Sequence, residues 1–306
     1  MRIEFKNFRC LRDTALDLTP LTVIVGPNAS GKSSILQALD PGFIPQREDV
    51  YQRNVGLGCT ITRSSPSGTA VVSTVDTSGG PRIHKSDLRY FYQCLRLNVD
   101  SLRNPNEVMP ESVLGLSGGN LANVFDTLDR GTQASLVKDF CDLVPVFSDV
   151  NAIPLGSGRK HLVFTDRWSN SVKYVPTQVS DGSMLVLALL TLRYQLVSPD
   201  VLAIEELERG LHPYLIQELV SFLRRLATGE LGGKVRRIVL ATHSPEVLSC
   251  ARPEEVRVLK RSADGSVDIN SLDTNATSLK QALDVYEGSL GGLWLSGNLG
   301  GVPGAA

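Results

Sequence analysis

The sequence predicts an α/β protein whose parallel sheet is flanked by helices, and three observations predict it. A continuous apolar strand, "LTVIV" at 21–25, runs into a glycine loop and then a helix. From residue 201 the pattern alternates, with strands at 201–205, 236–241 and 255–260 and helices at 213–227 and 245–250, as parallel strands joined by helical crossovers require. An almost wholly apolar helix beginning at Asp181 needs a deeply buried place. A chain of 306 residues with 42% hydrophobic content can bury one large core, or one core with a smaller lobe.

Taken in order, the first residues suggest strands at 2–9, 14–18 and 21–25, then a helix from Ser33 to Leu39 that stops at "DPGFIP", where two prolines forbid continuation. Residues 41–87 are rich in Ser, Gly, Thr and Pro, with strands at 57–62 and 69–76, and read as an antiparallel β lobe or an irregular insertion. This stretch is the least like the rest of the core and is expected to be a partner surface. A strand at 89–98 precedes two amphipathic helices within 116–144, broken at Gly131, which read as a helical subdomain. Strands at 160–165 and 171–176 lead to Ser180 and Asp181, good caps for the apolar helix. The glycine-rich tail 288–306 is expected to be mobile unless Trp294 docks it. The expected organisation is a single domain over 1–306: an N-terminal lobe at 1–100, a helical part at 101–180, a second sheet-building part at 181–270, and a C-terminal helix and tail at 271–306.

Composition excludes several classes of function. A net charge of -1 and a pI near 6.4 give no global field that would pull the chain onto nucleic acid or anionic lipid. Five scattered cysteines without a CxxC pair argue against zinc and against a disulfide framework, and fit a reducing cytoplasm. No apolar run approaches the roughly 20 residues of a membrane span. The basic segment 224–237 reads as a solvated face, and Trp168 and Trp294 as core or tail anchors.

Three strand ends carry chemistry. Gly26, Pro27, Asn28, Ala29, Ser30, Gly31, Lys32 and Ser33 fit GxxxxGK[ST], followed by Ser34. Glycines permit the tight loop, its amides face phosphate oxygens, Lys32 neutralises charge and the Ser33 hydroxyl can hold Mg²⁺. The apolar strand "VLAIE" delivers Glu205 and Glu206 to its carboxyl end, where ligands of open parallel sheets bind. One carboxylate there can orient Mg²⁺ and the next can polarise an attacking water. "RIVLATHSPEVL" ends another apolar strand in Thr242, His243 and Ser244, and a histidine at the mouth of the same sheet can donate to a γ-phosphate.

In this order the elements resemble the ATP-binding-cassette ATPases of the RecF/SMC/OLD-like branch, especially small bacterial AAA-type members. "FKNFRCLRD" is similar to that family's first strand, "GPNASGKS" to its Walker A, "VSDGS" to its signature, "VLAIEELERGLHP" to its Walker B and D-loop, and "ATHSPEVL" to its H-loop. The resemblance implies a P-loop fold and ATP and Mg²⁺ as ligands. It also implies a head-to-tail homodimer that sandwiches two ATP molecules, with Ser180 and Gly182 reaching the γ-phosphate held by the other subunit. Glu206 takes the catalytic position, with Lys32 and His243 beside it, and Glu205 and Ser33 take the metal-orienting positions.

The sequence departs from the family in places. Glu205 stands where many relatives have Asp, "VSDGS" departs from LSGGQ, and His212 occupies the place of the D-loop aspartate. The Q-loop glutamine is not identifiable, with Gln93 and Asn98 as candidates. No sustained heptad lies between Ser33 and Ser180, so no long coiled-coil arm is expected. Only 63 residues follow His243, too few for a fused Toprim nuclease, so any nuclease or toxin effector is expected on another chain. The implied function is an ATP-driven switch controlling such an effector, as in phage-defence cassettes. The alternative is an ATP-responsive scaffold in DNA repair with little turnover.

Overall fold

The computed structural model describes residues 1–51, 58–65, 70–75, 81–85, 90–156 and 158–299. In chain order the elements are β1 (Arg2–Phe8), β2 (Leu11–Asp17), β3 (Leu21–Val25), α1 (Lys32–Ala38), β4 (Cys59–Ser64), β5 (Ala70–Val75), β6 (Pro81–Lys85) and β7 (Tyr92–Leu95). Next come α2 (Val99–Arg103), β8 (Asn106–Glu107), α3 (Leu121–Thr127), α4 (Arg130–Leu143), β9 (Phe147–Leu155), β10 (Arg159–Asp166), β11 (Lys173–Tyr174) and α5 (Asp181–Tyr194). The chain continues through β12 (Val201–Glu205), α6 (Pro213–Thr228), β13 (Arg237–Thr242), α7 (Pro245–Ser249), β14 (Val256–Arg261), β15 (Val267–Ser271), α8 (Thr277–Val285) and α9 (Leu290–Leu295). They fall into two units, one of 1–93, 200–206 and 235–306, the other of 94–199 and 207–234.

The first unit holds two sheets. In the six-stranded sheet, ordered β15-β14-β3-β13-β12-β7, the strands β14, β3, β13 and β12 run parallel. Every residue of β3 is buried, and β12 and β13 are buried over nearly their whole lengths, which is why they read as unbroken apolar runs. Parallel strands in adjacent register end together, so the turns after β3, β12 and β13 share one edge.

The second sheet is antiparallel, ordered β2-β1-β4-β5-β6. β1 and β2 form a hairpin closed at Phe8↔Leu11 around Arg9, whose φ is 53°. The strands in the 41–87 segment do not make a detached lobe: β4 pairs along β1 from Arg2↔Ser64 to Lys6↔Thr60, extending the sheet that the N-terminus starts. The expected strands at 57–62 and 69–76 shift to β4 and β5, and residues 57, 69 and 76 lie outside the described set. Arg63 of β4 is fully buried, and its guanidinium donates to the Ala38 carbonyl at 2.7 Å and the Ser73 hydroxyl at 2.8 Å. The Tyr90 hydroxyl donates to the Leu39 carbonyl at 2.5 Å, and that of Tyr92 to the Leu36 carbonyl. These three side chains donate to carbonyls at the end of α1, where intrahelical partners run out.

In the second unit, α5 is buried from Ser183 to Thr191 and on to Leu192, as its apolar sequence requires. An aromatic cluster of Phe140, Phe147 and Phe164 joins α4 to β9 and β10. The helix break expected at Gly131 falls earlier: Asp129 caps α4 by accepting from the Gly131 and Thr132 amides at 2.9 and 3.1 Å, which leaves Gly131 inside the first turn. Expectation and structure also differ at Trp168, which is 77% exposed on the turn after β10 and anchors nothing, whereas Trp294 is buried at 6%. In the basic segment of 224–237, Arg236 is buried, contrary to a uniformly solvated face. Over the described residues the strand expected at 89–98 shortens to β7, with residue 89 outside the described set, and at its far end Asn98 turns the chain by capping α2.

Candidate active site

The phosphate loop leaves β3 at Gly26 and enters α1 at Lys32. Two of its glycines are fixed by space: a Cβ on Gly26 would stand 2.8 Å from the Ser30 hydroxyl and 2.9 Å from Leu259 Cβ. One on Gly31, at φ 94°, would stand 2.6 Å from the Cys10 sulfur. Ala29 takes a left-handed φ of 60° at the crown. Lys32 Nζ donates to the carbonyls of Gly26 and Pro27 at 2.7 and 2.9 Å. Pro27, Asn28 and Ala29 form the outer part of the loop, and the Ser34 hydroxyl accepts from Arg9 at 3.2 Å. Arg9 is held by Asp49 at 2.8 Å and lies over the rings of Phe8 and Phe43.

From β12, the Glu205 carboxylate accepts a hydrogen bond from the Ser33 hydroxyl. Glu206 follows at φ 55°, a backbone conformation that side-chain-bearing residues rarely adopt, pinned by its amide to the Ala241 carbonyl at 3.0 Å. From β13, His243 brings Nδ1 to 3.9 Å from Glu206 Oε1. Thr242 and Ser244 take structural work instead: the Thr242 hydroxyl accepts from the Ser244 amide, and Ser244 caps α7. Lys32, Ser33, Glu205, Glu206 and His243 all belong to the first unit.

Ser180 and Gly182 lie in the second unit. Ser180 caps α5, its hydroxyl accepting from the Ser183 amide at 3.3 Å. A Cβ on Gly182 would be 3.4 Å from the Gly210 carbonyl, so α5 and the Gly210 turn approach closely there. Arg103 grips the segment that leads into α5, donating to the Pro176 and Val179 carbonyls at 3.1 and 2.7 Å and pairing with Asp181 at 2.7 Å. His212 caps α6, with Nδ1 accepting from the Tyr214 amide at 3.3 Å. Of the two Q-loop candidates, Asn98 is committed to its cap, accepting from Ser101 at 2.8 Å, and Gln93 is buried.

The residues present fit a nucleotide and its cation. The loop is too tight for side chains at Gly26 and Gly31, and the buried Ser30 hydroxyl lacks a hydrogen-bond partner among the described residues. Among those residues no cluster of three or more His, Cys, Asp or Glu could hold a metal alone. Mg²⁺ asks for less, because it usually takes one or two protein oxygens and completes its shell with phosphates and water.

Family models match two segments of the chain, and solved structures match most of its length. A family model described as "AAA domain, putative AbiEii toxin, Type IV TA system" matches residues 137–249, and one described as "AAA ATPase domain" matches 1–50. An OLD nuclease of Thermus scotoductus is 62% identical over 39 residues, which are 13% of this chain and only 7% of that protein. The SMC head domain from Thermotoga maritima superposes with a TM-score of 0.58 at 14% identity, over 89% of this chain and 98% of that one. An SMC head bound to the C-terminal winged-helix domain of ScpA gives 0.62 at 13% identity over 89% and 98%. A Pyrococcus furiosus SMC head with an extended coiled coil gives 0.52 at 11% over 94% and 98%. With AAA-type segments at 1–50 and 137–249 and an SMC-head-like architecture along 89% of its length, the chain carries the P-loop fold of ABC-type ATPases.

Proposed function

We propose that the protein is a Mg²⁺-dependent ATPase that closes as a head-to-tail homodimer on ATP and opens on hydrolysis, switching a separate effector protein. The observation that carries this reading is the Ser33–Glu205 hydrogen bond: a hydroxyl from the phosphate loop and a carboxylate from the neighbouring strand end converge beside Lys32. Hard oxygens in that arrangement suit Mg²⁺, which when bound neutralises charge on the transferring phosphoryl group.

Lys32 leaves the Gly26 and Pro27 carbonyls for the phosphate oxygens, and the loop amides take the rest of that charge. Glu206 accepts a proton from the attacking water as its oxygen bonds to the γ-phosphorus, and ADP departs. His243, with Nδ1 3.9 Å from Glu206, can donate from a ring nitrogen to the γ-phosphate. Ser180 and the Gly182 turn serve the partner subunit's nucleotide at the N-terminal end of α5. The anti-phage setting, and an effector of nuclease or toxin type, find support in the toxin–antitoxin description of the matched family and in the OLD nuclease match. A cytoplasmic place of action follows from the use of ATP. Among the described residues no helix is long and apolar enough to cross a membrane.

Light scattering and phosphate release test this together. Lys32→Ala is expected to lose ATP binding, and Glu206→Gln to bind ATP and accumulate dimer without turnover. A Glu206→Gln protein that hydrolyses at the wild-type rate refutes the assignment. Affinity capture on the same variant with Mg·ATP decides between an effector protein and DNA as the macromolecule served.

A further inference from the structure

Arg261, the last residue of β14, is exposed, yet both terminal nitrogens of its guanidinium donate to backbone. One nitrogen donates to the Ala29 carbonyl of the phosphate loop at 2.6 Å, the other to the Gly265 carbonyl at 2.7 Å. The peptide unit joining Ala29 to Ser30 is therefore held at both ends, its oxygen by Arg261 and its N–H by the Pro27 carbonyl at 3.2 Å. This matters because Ala29 sits at φ 60°, which a residue with a side chain leaves readily unless its surroundings forbid it.

The anchor behind Arg261 is itself tied down. Asp264 pairs with Arg12 at 3.0 Å, its carbonyl accepts from the Tyr51 hydroxyl at 3.1 Å, and the Val267 amide donates to the Cys10 carbonyl at 2.8 Å. The β14–β15 turn is thus stitched to the first hairpin, and Arg261 reaches from it to the loop crown.

We propose that Arg261 is a positioning residue for the phosphates of the bound nucleotide. Lys32 also holds the loop, through Gly26 and Pro27, but those bonds break when Lys32 turns to a phosphate. Arg261 need not move, so it keeps the Ala29–Ser30 peptide oriented at the moment when the loop loses its other side-chain tie. Its charge also offsets the negative end of the Ala29 carbonyl dipole beside an anionic ligand. The inference rests on the phosphate-binding reading and deepens it.

Calorimetric titration of ATP and of ADP into the full chain with Mg²⁺ tests it, using the wild type, Arg261→Ala, Arg261→Lys, Arg261→Gln and Lys32→Ala. Arg261→Ala is expected to weaken both nucleotides about tenfold or more, while the melting temperature of the nucleotide-free protein stays near wild type. Arg261→Lys, which retains one donor and the charge, recovers part of the affinity, and KM rises by a larger factor than kcat falls. Wild-type affinity in Arg261→Ala overturns the proposal. Should that variant melt early, the Lys and Gln variants decide: a graded loss supports the role, and equal affinity across wild type, Lys and Gln overturns it. A wild-type protein that binds ATP no better than Lys32→Ala overturns the phosphate reading itself, which is a separate outcome.

Discussion

Replacing Glu206 by glycine is expected to make the protein more stable and catalytically dead. At φ 55° a residue with a side chain sits about 1–2 kcal/mol above its right-handed alternative, and glycine does not. Glycine gives back about 0.4–1 kcal/mol through the greater freedom of its unfolded chain. The lost approach to His243, 3.9 Å between half-exposed groups, removes at most a few tenths of a kcal/mol. The net gain is roughly 0.5–1 kcal/mol, or about 1 °C in melting temperature for a chain of this size. Glu206→Gln keeps the strained backbone and should gain nothing, while both variants lose turnover by about a hundredfold or more if Glu206 is the base. Differential scanning fluorimetry without nucleotide, paired with phosphate release, reads both effects. A glycine variant that melts below Glu206→Gln refutes the strain argument, and retained turnover in either variant refutes the role of the carboxylate.

Two further outcomes follow from particular contacts. Gly31→Ala combines an unfavourable φ of 94° with a Cβ 2.6 Å from the Cys10 sulfur and should cost about 2–4 kcal/mol; adding Cys10→Ala should return the packing part and leave about 1–2 kcal/mol, as denaturant unfolding of the two single variants and the double variant would read. The Asp264 carboxyl is held down to about 2, first by the Ser266 hydroxyl and amide and then by Arg12. A carboxylate depressed in the folded state contributes stability above its ordinary value, and that contribution is lost as pH falls toward about 2. Amide protection factors in the β14–β15 turn, referred to intrinsic exchange at each pH, should therefore hold at pH 4 and fall near pH 2, and Asp264→Asn should flatten that dependence.

What could be read from sequence was whatever the chain keeps local. β3 and β12 fall on the expected residues because fully buried parallel strands leave unbroken apolar runs, and α5 because its cap and apolar length announce it. The loop, the two glutamates and His243 could be expected at one sheet edge because each follows its strand directly, and the structure brings them together there. The side chains that arrange them were missed for the converse reason. Arg9, Arg63, Tyr90 and Arg261 act on backbone or side-chain atoms 25 to 232 residues away, and nothing near them in sequence marks the partner. β9 was missed because "FSDVNAIPL" neither alternates cleanly nor stays apolar; its register against β10 makes it a strand. At Gly131 the glycine distracted from Asp129, whose carboxylate sets the start of α4.

The union of β4 with β1 changes how the 41–87 segment can be manipulated. Because Arg63 reaches from that segment to the C-terminal end of the helix behind the phosphate loop, the antiparallel sheet and that helix are tied together by a buried side chain. A perturbation of β4 therefore reaches the end of that helix through Arg63, so substitutions in the sheet are expected to change ATP affinity if the phosphate loop binds nucleotide as proposed. Excising the segment would remove that tie instead of trimming an appendage, and a truncated protein unable to recruit its partner would say nothing about where that partner docks. Charge-reversal substitutions on the solvent faces of β4 and β5, scored with ATP affinity as an internal standard, separate the two.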